Sequence, residues 1–352
     1  MQISKHRIIL AFFATFANCA LSANAAAAEE ESKISHAGHH MSMAGHMNHD
    51  QDRMWMFEYR YMRMNMSGLL DGTNEVSTSD ISGASGDAGA QSPDKPYWMA
   101  PTSMSMDMHM FMAMYGITQQ LSVMAMGNYV ANTMAMAMHH HMSDGDTEEM
   151  HANMETSGLG DTLISLSYAA SDPLTLTLGL SLPTGSNEEE VQMMPGQDKV
   201  RAGYSMQLGS GTFDLEPSLT WNRKNVDHQW GYQASYVYHL GAHNGYTFGN
   251  KLEASAWTKH QIDPGVWAGA RLAVSSWGSI DGRDEKIDSM MSPDMDPKAQ
   301  GGTRADALFG LSGGNPKGLT IGLEFGLPVY QNLNGPQMKT TLIASGSLQW
   351  MF

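Results

Sequence analysis

Two side-chain types carry most of the chemistry open to this sequence. The chain of 352 residues holds 32 methionines and 15 histidines, and methionine is not among the commonest residues of globular proteins. A thioether sulfur is a soft, neutral ligand that selects Cu(I) and, by the same softness, Ag(I). Imidazole also suits Cu(II), Zn and Ni. Three clusters result. In the first, His36, His39, His40, Met41, Met43, His46, Met47 and His49 are interspersed with small residues. In the second, Met54, Met56, Met62, Met64 and Met66 fall on alternate positions, as do Met104 to Met114 and the pair Met124 and Met126. The third holds Met134, Met136, Met138, His139, His140, His141 and Met142, then Met150, His151 and Met154 among Asp144, Asp146, Glu148 and Glu149. It reads as a long polar loop, near residues 131–157, at the outer mouth of the protein.

Copper or silver ions are the expected ligands, with no cofactor required. The same sulfurs have two plainer readings, as flexible apolar lining or as groups that consume oxidants. Zinc-type CxxC spacing is absent. There is no GxSxG elbow, no HExxH helix and no thiol nucleophile, so an enzyme is not expected.

The elements that must position these residues begin after a leader. Lys5, His6 and Arg7 precede the apolar run Ile8 to Ala17, and Ala23-Asn24-Ala25 supplies small residues at cleavage spacing. That pattern predicts a secretory signal peptide over 1–25. The single cysteine, Cys19, falls inside it. Residues 26–52 are polar and aperiodic and are expected to form a disordered periplasmic arm. The remainder, 53–352, alternates with period two, which predicts strands. Trp55, Phe57, Tyr59 and Tyr61 share one face. Leu174 to Leu182 alternate with Thr175, Thr177, Gly179 and Ser181, and Leu319 to Leu327 alternate with Thr320, Gly322, Glu324 and Gly326. About twelve such segments, each roughly as long as a tilted strand crossing a bilayer, suit a membrane barrel.

Short turns are expected near Thr118-Gln119, Ser171-Asp172-Pro173, Lys224-Asn225, Asp263-Pro264 and Asn315-Pro316. Long connections are expected near 67–102, 131–157, 184–210 and 281–302. The final strand, Met338 to Phe352, ends on an aromatic residue, a feature similar to the assembly signal of bacterial outer-membrane proteins. The expectation is therefore an all-β, transmembrane antiparallel barrel of about 12 strands. Its polar face carries Glu58, Arg60, Asp214, Glu216, Lys251, Glu253, Arg271, Arg304, Asp306 and Glu324. A closed lumen could pair these opposite charges, whereas a soluble sandwich, the rival fold, would solvate them. Which face of strand 103–116 points inward is left open by its pattern. A formal net charge of -16 disfavours nucleic-acid binding and favours cations.

Several motifs carry a family resemblance. They are Tyr115-Gly116-Ile117-Thr118, Ser157-Gly158-Leu159-Gly160-Asp161-Thr162, Leu182-Pro183-Thr184-Gly185, Leu208-Gly209-Ser210-Gly211-Thr212, Trp277-Gly278-Ser279-Ile280-Asp281-Gly282 and the stretch Gly326 to Gln337. In order and spacing they resemble the outer-membrane transporter family named after the meta pathway of phenol degradation. The resemblance implies a barrel and a transporter, and supplies no catalytic residues. Functionally, the residues point to a barrel that binds and passes copper or silver ions in metal tolerance. Expected partners are outer-membrane lipid, the ions, and a periplasmic metal carrier or efflux system. A channel for small organic or aromatic compounds is the alternative, and a barrel that stores metal without transporting it is a third.

Overall fold

The computed structural model describes residues 54–85, 90–141, 147–193, 196, 198–315 and 318–352. The predicted leader, the arm with its His36–His49 cluster, and Met142 lie outside them.

The alternating segments fold as twelve strands: β1 Trp55–Gly72, β2 Ala100–Gly116, β3 Leu121–His141, β4 Thr147–Leu159, β5 Thr162–Ser171, β6 Leu174–Leu182, β7 Phe213–Lys224, β8 His228–Leu240, β9 Lys251–Asp263, β10 Val266–Trp277, β11 Gly302–Gly314 and β12 Leu319–Met351. Neighbours pair antiparallel in chain order, except that β5 pairs with β3 and not with β4, and β12 pairs back to β1, from Met56↔Met351 to Gly72↔Leu333. The closing hydrogen bonds run from Trp55 N to Phe352 O at 2.9 Å and from Phe352 N to Trp55 O at 3.0 Å.

Antiparallel pairing all the way round a ring requires an even number of staves. β3 pairs with β5 over its first residues and with β4 over its last, so β4 and β5 make one interrupted stave. That leaves eleven elements in the ring. β12 resolves the parity, because it folds back on itself. Its first leg pairs with β11 and its second with β1. Gln331 and Thr340 exchange hydrogen bonds of 3.0 and 2.9 Å across the fold, and Gly335 takes the positive φ of 74° that the reversal needs. The barrel thus has twelve staves, in agreement with the periodicity.

Short connections join β2 to β3, β5 to β6, β7 to β8, β9 to β10 and β11 to β12, all at the end where Trp55 meets Phe352. By the usual asymmetry of these barrels that end is periplasmic. At the other end the segments 183–212 and 278–301 fold inward and meet. Arg201 Nε lies 3.3 Å from Asp284 Oδ2, both almost fully buried, and Asp284 N donates to the Tyr204 hydroxyl at 3.2 Å. Segment 73–99 joins this cap where Tyr97 donates to Asp296 at 3.0 Å.

Outward positions are apolar and exposed in a belt that includes Phe57, Phe111, Leu159, Leu178, Phe309, Phe325 and Trp350. Such a surface is a lipid belt, since a water-soluble chain would aggregate through it. Its polar partners Asp214, Arg271, Arg304, Asp306 and Glu324 are buried inside. The rival soluble sandwich is excluded by this inside-out arrangement.

One expected loop is a strand pair. Residues 131–157 belong to the β3–β4 hairpin, in register from His141↔Thr147 to Tyr129↔Leu159. On β4 the phase is reversed, because Ala152 and Met154 face in while His151, Asn153 and Glu155 face water. Above the bilayer a stave no longer needs an apolar exterior, so its polar outer residues resemble a loop in the sequence.

Candidate functional site

The interior has two unlike walls. β1, β2, β3 and β4 contribute the first. Met56, Met62 and Met64 on β1, Met104, Met106, Met108 and Met110 on β2, Met124, Met126, Met134 and Met136 on β3, and Met154 on β4 are all buried. Met66, Met112, Met114 and Met138 are partly buried against them. The open question about strand 103–116 is thereby answered: its methionines face in, while Asp107, His109 and Phe111 face out. Tyr61 and Arg63 donate to Asp107 on that outer surface.

Cross-strand register places the sulfurs in rows. Met66 stands opposite Met104, Met104 opposite Met134, and Met134 opposite Met154. Lower down, Met56, Met114 and Met124 form another row. The four-residue turn Ile117–Gln120 sets this register, since it joins two strands with the same methionine phase. That turn was the signal that could have assigned Met104–Met110 from the sequence. Met206 and Met295, both almost fully buried in the inserted segments, had no periodic signal at all.

The second wall is charged and comes from β7 to β12, with Glu58 and Arg60 of β1 adjoining it. Glu58 and Arg60 approach to 2.6 Å, Lys251 and Glu253 to 2.8 Å, and Arg304 and Asp306 to 2.9 Å. His239 Nδ1 and Asp214 approach to 2.6 Å, and Arg271 pairs with Glu324. The opposite charges read from the sequence therefore do pair in a closed lumen. Arg60, Lys259 and Glu324 line a small recess of about 20 Å³ in the periplasmic half. With Glu58 and Arg271 they make a charged floor.

The walls meet in the outer half around a cavity of about 150 Å³ lined by Met64, Met66, Met104, Met106, Met338, Asp294 and Arg304 among others. Asp294 is buried, and burial pushes its carboxyl above the usual carboxylate range. Gly203 packs so closely there that a Cβ on it would lie 1.9 Å from Asp294 Oδ2. Gly203→Ala is therefore expected to separate the two inserted segments, at a cost of roughly 1–3 kcal/mol. Limited proteolysis should then cut 183–212 faster while the barrel resists; an unchanged digestion pattern would show that the contact is not tight.

Beside the cavity the wall is interrupted. Among the described residues β4 pairs with β3 alone, and no strand is hydrogen-bonded to its other edge. β6 stops at Leu182, and Asp161 ties the chain down, accepting from Gly185 N at 2.9 Å and Ser210 N at 2.7 Å. Leu208 seals the break from inside, against Gly158. A small recess at this point is lined by Met106, Met108, Asp161 and Leu208.

Of the predicted site residues, Met56, Met62, Met64, Met66, Met124, Met126, Met134, Met136 and Met138 are brought together in the lumen, and Met54 lies at its periplasmic end. His139 and His140 do not join them. They sit at the outer end of β3, where His139 Nε2 is 3.0 Å from the Thr78 hydroxyl. Nothing is described of the His141 side chain. Among the described residues no three His, Cys, Asp or Glu side chains converge as metal ligands.

Residues 99–279 match the family described as "Putative MetA-pathway of phenol degradation". No curated protein matches the chain. Among solved structures the fold is similar to an outer membrane channel from Pseudomonas putida F1, with TM-score 0.54 at 10% identity, covering 86% of this chain and 96% of that one. The P. putida toluene transporter TodX gives 0.44 at 9% identity, covering 86% and 90%. The Ralstonia pickettii toluene transporter TbuX gives 0.41 at 8% identity, covering 86% and 89%.

Proposed function

The chain belongs to the family whose match spans a little over half its length, and from that premise we propose an outer-membrane channel for small apolar compounds, aromatic ones among them. The observation that carries this reading is the continuous methionine wall from the outer cavity down to Met124 and Met126. A planar apolar solute gains from burial and from sulfur–aromatic contacts with side chains flexible enough to fit many shapes. The family and the similar fold favour this alternative over an ion-passing barrel for metal tolerance. The charged floor opposes axial passage of such a solute, because dehydrated charges have no partner in it. The interruption beside Leu208 gives it a lateral way out into the bilayer.

The test uses N-phenylnaphthylamine, an aromatic dye that the lipopolysaccharide layer excludes and that fluoresces in lipid. Cells displaying the full chain are expected to take up the dye several-fold faster than cells displaying an unrelated closed barrel. Met108→Asp, which puts a carboxylate on the path, should lower that rate at least fivefold at equal barrel abundance. Equal rates with and without the protein would remove this function.

A further inference from the structure

The outer cavity has a chemistry that an apolar channel does not require. Met66 and Met104 stand in register on adjacent strands, and Met338 faces the same space. Adjacent strands lie about 4.8 Å apart. Flexible side chains that start from in-register positions on adjacent strands can bring two thioethers onto one soft ion. Two lumen sulfurs are already engaged: Arg304 and Thr340 donate to Met64 Sδ at 3.7 Å on this cavity's wall, and Gln349 donates to Met56 Sδ at the periplasmic end. Among the described residues no such donor reaches the sulfurs of Met66, Met104 or Met338.

The same cavity contains a carboxylate without a cationic partner. Asp294 is 7% exposed, and its side-chain donor is the Ser292 hydroxyl. Arg304 and Lys251 also line the space, but Asp306 and Glu253 already balance them at 2.9 and 2.8 Å. A buried carboxyl so placed lacks a counter-charge, so burial favours its neutral acid form, and an arriving cation takes the place of the proton. Among the described residues no three His, Cys, Asp or Glu side chains converge here, so the thioethers are the distinctive ligands, and they favour a soft ion.

We propose that this cavity is a binding site for a soft monovalent cation, Cu(I) or Ag(I), held by the thioethers of Met66, Met104 and Met338 with Asp294 as counter-charge. Met134 and Met154 continue the row and offer the ion further thioethers in register. The site stands whether or not aromatic compounds use the channel.

Silver ion avoids redox chemistry and is the probe. The full chain, labelled with ¹³C on the methionine methyls and held in lipid nanodiscs, is titrated with Ag(I). Saturable shifts of the Met66, Met104 and Met338 methyls are expected. The Met66→Leu, Met104→Leu, Met338→Leu variant keeps volume and apolar character, so it should assemble, and it should bind one Ag(I) fewer per chain by equilibrium dialysis. Asp294→Asn should weaken the site about tenfold. Silver stoichiometry is read without dye uptake, which separates this site from the channel. Methyl shifts confined to the His36–His49 arm, or an unchanged silver stoichiometry in the leucine variant, would overturn the proposal.

Discussion

Oxidised Gly158→Cys, Leu208→Cys barrel is expected to admit N-phenylnaphthylamine at the background rate, and reductant should restore wild-type uptake. An added Cβ on Gly158 would lie 2.9 Å from the end of the Leu208 side chain, so two thiols there fall within bridging reach. The cross-link would fasten the inserted segment to β4 at the one place where the described wall lacks a hydrogen-bonded strand neighbour. Cys19 is the only native cysteine and lies in the predicted leader, so mispairing is not a concern. A loss of at least tenfold is the predicted size, because a lateral path is either open or closed at this seal. Uptake unaffected by oxidation, with the disulfide verified by mass, would move the route to the barrel axis.

The second large effect concerns the floor. Removing Glu324 alone strands Arg271, which is about 5% exposed, and breaking a buried pair from one side costs roughly 3–5 kcal/mol. Removing both as Arg271→Ala, Glu324→Ala should cost less, since no charge is left uncompensated. Stripping Glu58 and Arg60 as well keeps the net charge unchanged and leaves Lys259 as the one charge of the floor. That quadruple variant is expected to raise single-channel conductance in planar bilayers at least tenfold above the wild type. Conductance equal to wild type would show that the outer cap, and not the floor, blocks ions. Thermal unfolding of the single variant below that of the double variant would confirm the order of costs.

Much of this architecture was legible because a membrane barrel repeats one constraint. Lipid demands apolar residues at alternate positions, so Leu174–Leu182 and Leu319–Leu327 declared their outer faces, and Glu324 and Arg271 had to face inward and find each other. Methionine weakened the signal, because it is at home on either face. On Met104–Met114 only pairing with β3, across the four-residue turn Ile117–Gln120, separates the two readings. The β3–β4 extension was misread for a related reason, since Glu149, His151 and Glu155 are exterior residues of a stave standing in water. Met206, Asp294 and Met295 were beyond sequence reasoning. They come from irregular segments whose burial follows from the space inside a closed cylinder, which no local pattern records. The cavity joins residues from both sources, so the sequence yielded one half of it.

The bonds between Trp55 and Phe352 also set a timetable. Every other ring pairing forms between segments close in sequence, but the seam joins residues almost the whole described length apart, and it is slow for the reason all long-range strand pairings are slow. Until the last leg of β12 arrives, the sheet keeps two open margins able to recruit other chains. A ribosome-stalled or clipped product missing even that leg would be a template for aggregation and not a smaller barrel.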